Sequence, residues 1–308
     1  MKSRKLIVLV IAIGVLIAFA AGCGSNQPEP QVTDDNLSLK IGVMPAVDSA
    51  PIFLANKKGY FTELGLDVEV QIYTNAMSRQ SALQSGELDG AMTDVIALIN
   101  NVENGFDIKV TTSTDGVFPF LVNKDFQEKK DIKVGMMEVS VTNYLSDRLL
   151  GDNYNIEKIY INEIPARLEM IGIGNLDMAV IPEPMASQGE LNGLKKMLIE
   201  NKDEFSPEVL VFTGKAIKEN EKAITLFHQA YNKAIDEITK NETEARDVLI
   251  EKLQLNPDVK DKIILPSYHK ARVPSEEYLK SIMEWNEKVL KKTVDLKYED
   301  LVEGKFVI

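Results

Sequence analysis

Past residue 36 the chain alternates short β-branched runs with stretches of helical period, the arrangement of an α/β fold. Leu39–Met44 is predicted as a strand closed by Pro45, and Ser49 is placed to cap a helix through Pro51–Ala55 that Gly59 stops. Strands follow at Val68–Tyr73, Leu88–Met92 and Ile108–Thr112, with helices from Met77 to Gln84 and from Val95 to Glu103. Val209–Phe212 is a later strand. Beyond it Ile224, Phe227, Tyr231, Ile235 and Ile238 recur at helical spacing, as do Tyr278, Ile282, Trp285 and Val289. Both stripes are expected to be core.

Two segments repeat. Leu39-Lys40-Ile41-Gly42-Val43-Met44 is echoed by Ile132-Lys133-Val134-Gly135-Met136-Met137, and Gly86-Glu87-Leu88-Asp89-Gly90-Ala91 by Gly174-Asn175-Leu176-Asp177-Met178-Ala179. The glycine landmarks stand 44 residues apart in the first copy and 39 in the second. Two similar lobes follow from this, each a small sheet flanked by helices. Asp89 and Asp177 precede their strands and are assigned to turns.

The N-terminus adds a compartment. Lys2, Arg4 and Lys5 precede an unbroken small and apolar run, Leu6 to Ala21, short for a membrane span. Ala20-Ala21-Gly22 then leads into Cys23, the one cysteine of the chain, which has no partner for an internal disulfide. Residues 19–23 resemble a bacterial lipobox with Ala20 in the usual leucine position. The expectation is a signal peptide over 1–22, lipidation of Cys23, and a polar tether over 23–36. The formal charge is −12, or −15 without the three basic signal residues, which argues against nucleic acid as a partner.

Ile41–Pro45, Ala50–Ala55, Lys58–Phe61, Glu63–Glu69, Gln84–Asp89, Ala166–Leu168, Gly174–Asp177 and Pro182-Glu183-Pro184 together resemble one family. It is the nitrate/sulfonate/taurine and thiamine-pyrimidine-precursor group of ABC solute-binding proteins. The resemblance implies a periplasmic-binding-protein fold with two lobes, a ligand cleft and two interlobe crossovers. One lobe is expected over 37–117 plus 208–308 and the other over 118–207. It also implies an extracytoplasmic protein, held to the membrane by lipid on Cys23, that closes on a small molecule and presents it to an ABC permease. A sensory module for a membrane receptor would share the fold.

Ligands of open α/β sheets sit at the carboxyl ends of strands. That rule selects Asp48, Ser49, Asn75, Thr93, Asp94 and Asp115 from the first lobe, and Glu138, Ser140, Thr142, Asn143 and Glu183 from the second. Asp48, Ser49 and Thr142 are equally good helix caps. Asp48, Asp94, Asp115, Glu138 and Glu183 give an acidic rim with no Arg or Lys in the same loops, Arg79 lying a turn into its helix. This slightly favours a neutral or cationic heterocycle over a sulfonate or nitrate.

A relative of the family makes the thiamine pyrimidine with a cysteine-rich segment and a histidine. Here the one cysteine is at the lipidation site. His228 falls within a predicted core stripe and His269 in a connecting segment, so both are expected to be structural or surface residues. There is no G-x-S-x-G, metal-spaced His/Cys cluster or phosphate loop. Neither catalytic residues, nor a metal, nor a cofactor is expected.

Overall fold

The computed structural model describes residues 37–199 and 201–307. The chain opens with β1 (Leu37–Val43), α1 (Ala50–Lys57), α2 (Tyr60–Glu63), β2 (Leu66–Ile72), α3 (Ala76–Gln84), β3 (Gly90–Asp94), α4 (Val95–Glu103) and β4 (Ile108–Ser113). It continues with β5 (Phe120–Val122), β6 (Asp131–Met136), α5 (Val141–Leu150), β7 (Asn155–Tyr160), α6 (Ile164–Gly172), β8 (Met178–Val180), α7 (Met185–Leu191) and β9 (Lys195–Met197). Last come β10 (Glu208–Thr213), α8 (Gly214–Glu219), α9 (Glu221–Lys240), α10 (Thr243–Leu253), α11 (Glu276–Leu290) and α12 (Tyr298–Leu301).

The strands form two five-stranded sheets of the same design. The first runs β2-β1-β3-β10-β4 and the second β7-β6-β8-β5-β9. In each, three parallel strands meet a fourth that is antiparallel: β10 against β3, and β5 against β8. The chain passes from the first sheet to the second between β4 and β5, and returns between β9 and β10. Each sheet with its helices is called a lobe below.

The sequence repeat is also a repeat of contacts. Asp89 and Asp177 each accept the amide of a β1 or β6 lysine, Lys40 at 2.8 Å and Lys133 at 2.9 Å, and donate their own amides back to those residues. Gly86 and Gly174 end α3 and α6 with φ of 78° and 79°, a left-handed cap that favours glycine. The Asp turns move the start of β3 to Gly90, two residues later than the sequence suggests.

Helices cover both faces of the first sheet. Ile224, Phe227, Tyr231, Ile235 and Ile238 on α9 are all buried against α1 and β1, as expected. His228 lies among them, stacked near Phe306, its ring Nδ1 2.8 Å from the Ile224 carbonyl. Burial pushes its pKa down to about 4, so it packs as a neutral ring. On the opposite face Leu279 and Ile282 of α11 join the α4 core. Tyr278, Trp285 and Val289 are only partly buried. Val141, Tyr144 and Leu145 of α5 belong to that same core, so the second lobe is packed against the first.

Candidate functional site

Between the carboxyl ends of the two sheets lies a cavity of about 70 Å³. Its lining repeats the repeat. Met44, Ala76, Arg79 and Asp94 come from the first lobe, and Met137, Ile164, Arg167 and Pro182 occupy the matching positions in the second. Asp48 matches Val141 in the same way, Phe118 comes from the segment between β4 and β5, and Glu208 opens β10. Larger depressions exist, one of about 610 Å³ beside α11, but that one is an open surface groove edged by Glu and Lys side chains.

Four of the eleven residues selected from sequence line this cavity: Asp48, Asp94, Ser140 and Thr142. Asp48 is 4% exposed and accepts the Thr114 hydroxyl at 3.2 Å; burial pushes its pKa up to about 6, with Thr114 and Arg79 opposing. Asp94 caps α4 through the Ala97 amide at 2.8 Å. Burial raises its pKa, while Ala97, Arg79 and the Val141 amide of the second lobe hold it back. Ser140 caps α5, its hydroxyl 2.7 Å from that of Thr142, which accepts the Met137 amide at 2.9 Å. Ser140 is thus the cap and Thr142 is not.

The other seven sit outside the wall. Ser49 makes no helix-cap bond and donates instead to the Met44 carbonyl at 2.8 Å. Asn75 caps α3 through Ser78, and Thr93 accepts Arg79 Nη2 at 2.9 Å just behind the wall. Asn143 is buried and donates to the Glu138 carbonyl, while Glu138 itself is exposed beside a neighbouring groove. Asp115 lines a separate groove, accepting the His269 amide at 2.8 Å and Arg272 Nη2 at 3.3 Å. Glu183, with no exposed surface, is a clasp between lobes: Lys196 Nζ lies 2.7 Å from its carboxylate and also donates to the Lys262 carbonyl. The Glu183 carbonyl accepts the Val47 amide across the cleft at 2.8 Å.

The acidic rim expected from sequence is corrected by the bases that meet it. Lys196 answers Glu183, and Arg272 answers Asp115. Arg79 faces Asp94, Glu208 and Asp48; burial lowers its pKa and those carboxylates raise it. Glu208, buried among carboxylates, is raised well above the ordinary value. Arg167, 2% exposed, donates Nη1 to the Val180 carbonyl at 3.1 Å, and burial lowers its pKa to about 10. Arg79, Arg167 and Glu208 were missed because the loops alone were searched. The signal was present: both arginines stand seven residues before the repeat glycines Gly86 and Gly174.

The likenesses to known proteins agree with this architecture. A 4-amino-5-hydroxymethyl-2-methylpyrimidine phosphate synthase of Saccharomyces cerevisiae is 24% identical over 253 residues, 74% of each chain. A putative ABC transporter periplasmic binding protein of Brachyspira hyodysenteriae is 23% identical over 278 residues, 81% of this chain and 78% of that one. The ligand-binding component of an ABC-type import system from Staphylococcus aureus superposes with a TM-score of 0.76 at 18% identity, covering 88% of this chain and 98% of the other. The alkanesulfonate-binding protein SsuA of Xanthomonas axonopodis pv. citri gives 0.73 at 15% identity, covering 86% and 97%. The fold is therefore that of the periplasmic binding proteins. Residues 33–253 match the model of the NMT1-like family, and the chain belongs to that family.

Proposed function

We propose that the protein is the extracytoplasmic solute-binding component of an ABC importer, capturing a small organic molecule between its lobes and releasing it unchanged. The observation that carries this reading is the interlobe cavity, walled by matching positions of both lobes and lined by charged groups with unfilled hydrogen-bonding capacity. Relatives described as ABC binding proteins support it. The lobes are taken as 37–117 plus 208–308 and 118–207, hinged at the two crossovers. The signal over 1–22, the tether over 23–36 and lipidation of Cys23 complete the proposal; all three lie outside the described residues. Among the described residues no helix is long and apolar enough to cross a membrane.

The synthase relatives raise a catalytic reading, which the site chemistry supports less well. His228 is locked in the α9 core and His269 is engaged by Asp115, both away from the cavity wall. Native mass spectrometry of the protein as purified from its own cell, with small-angle scattering before and after ligand removal, tests the proposal. A bound small molecule whose removal enlarges the radius of gyration is expected; a ligand-free protein of fixed radius would overturn it. Cys23→Ala is expected to move the protein out of the membrane fraction.

A further inference from the structure

Arg167 is the odd group of the cleft. Its Nη1 bonds one carbonyl, its buried Nε has no partner, and the carboxylate acting on its charge is Glu163, an exposed residue one turn back. A buried cation without a counter-charge costs several kcal/mol, and such violations concentrate where a ligand completes the site. The matching Arg79 shares the unpartnered Nε and makes one side-chain hydrogen bond, to Thr93, but Asp94, Glu208 and Asp48 all act on its charge. The first lobe therefore offers more carboxylates than its one arginine balances, and the second offers an arginine with no carboxylate in the wall. Where the first lobe has Asp48 and Asp94, the second has Val141 and Pro182.

We propose that the cleft binds a small zwitterion, its amino group toward Asp48 and Asp94 and its carboxylate, sulfonate or phosphonate toward Arg167. This rests on the solute-binding reading and names its ligand class. It replaces the sequence-based preference for a neutral or cationic heterocycle, whose premise was a rim without bases. The cavity of about 70 Å³ suits a compact molecule, and its walls combine Met44, Met92 and Met137 with the two charged poles. Ser140 and Thr142 add hydroxyls to the wall. A single charge at either pole alone leaves the opposite pole unanswered, so discrimination against simple amines and simple acids follows from the site itself.

Isothermal titration of the ligand-stripped protein tests this with three groups of probes. The first is the common amino acids in both hands, taurine, β-alanine and 2-aminoethylphosphonate. The second is ethanesulfonate and ethylamine, and the third is 4-amino-5-hydroxymethyl-2-methylpyrimidine. At least one zwitterion is expected to bind, with its acid-only and amine-only counterparts weaker by about 30-fold or more. Arg167→Gln is expected to weaken that binding by about 30-fold or more, with Arg167→Lys intermediate because it keeps the charge and loses the planar fork. The ligand-free Arg167→Gln protein is expected to melt at a higher temperature than the parent, which a purely structural arginine would not allow. The proposal is overturned if no zwitterion binds, if the pyrimidine or a singly charged probe binds more tightly, or if Arg167→Gln lowers the melting temperature. Tight pyrimidine binding would leave solute capture intact and fail only the ligand class; a protein that carries no molecule from the cell would fail the parent reading instead.

Discussion

Arg79 and Arg167 hold the same station in their lobes, on the first turn of helices that end in Gly86 and Gly174 and beside strands that carry Gly42 and Gly135. Their surroundings have diverged at three matched positions. Thr93 gives Arg79 a hydroxyl where the second lobe has Ile181, and Arg167 turns to the Val180 carbonyl instead. Asp94 and Asp48 are answered across the cleft by Pro182 and Val141. One duplicated cation sits among more carboxylates than it balances, and the other has no carboxylate beside it in the wall. The two lobes share a frame and divide the labour of charge.

The largest effect should come from deleting each arginine in turn. Arg79→Met leaves Asp48, Asp94 and Glu208 buried together without their cation, and should cost about 3–5 kcal/mol of stability at neutral pH. Arg167→Met removes a buried charge that only the exposed Glu163 offsets, and should stabilise the ligand-free protein. Denaturant unfolding at pH 7 reads both, and opposite signs are the expected result. Losses of similar size in the two variants would mean that the second arginine is balanced after all.

A second test uses pH. Asp48 has its pKa raised from 3.8 to about 6, chiefly by burial. A raised carboxylate binds its proton more tightly in the folded state, so its contribution is fully present below about pH 4 and is lost as pH rises through 6. The loss is on the order of 3 kcal/mol from a shift of about two units. Asp48→Asn should flatten stability between pH 4 and 6.5, while Val141→Asn at the matching position should leave the slope unchanged. A slope that survives in Asp48→Asn would assign it to Glu208, which is raised in the same direction.

Much of this frame was legible from sequence, because the repeat carries its own geometry. Glycine spacing and the Asp turns announced two sheets of one design, and the α9 stripe announced which face it covers. The site was half legible. Strand ends pointed to Asp48, Asp94, Ser140 and Thr142, yet the same rule swept in Asp115 and Glu183, whose partners Arg272 and Lys196 arrive from distant segments. Ion pairing across long loops leaves no local signature. Arg79 and Arg167 escaped for a different reason: each lies a helical turn beyond its loop, and only a long side chain brings it back to the cavity.

The smallest effects concern the frame itself. A Cβ added at Gly42 would lie 2.5 Å from Leu88 Cδ1 and 3.3 Å from Arg79 Cγ. At Gly135 it would lie 2.5 Å from Leu176 Cδ1 and 3.6 Å from Arg167 Cγ. The clash is the same leucine in both lobes, and buried leucine tips yield only by moving neighbours, so each Gly→Ala change should cost about 1–3 kcal/mol. The two costs should agree within about 0.5 kcal/mol in denaturant unfolding, and Leu88→Val or Leu176→Val should relieve its own lobe's variant only. The ligand affinities should not agree. At Gly135 the displaced leucine presses toward an arginine with one carbonyl to hold it, whereas at Gly42 the guanidinium bonds Thr93 and is drawn by the charges of three carboxylates. Gly135→Ala should therefore weaken binding more than Gly42→Ala at equal cost in stability. Equal losses of affinity would show that position, and not the company each arginine keeps, sets what the cleft can hold.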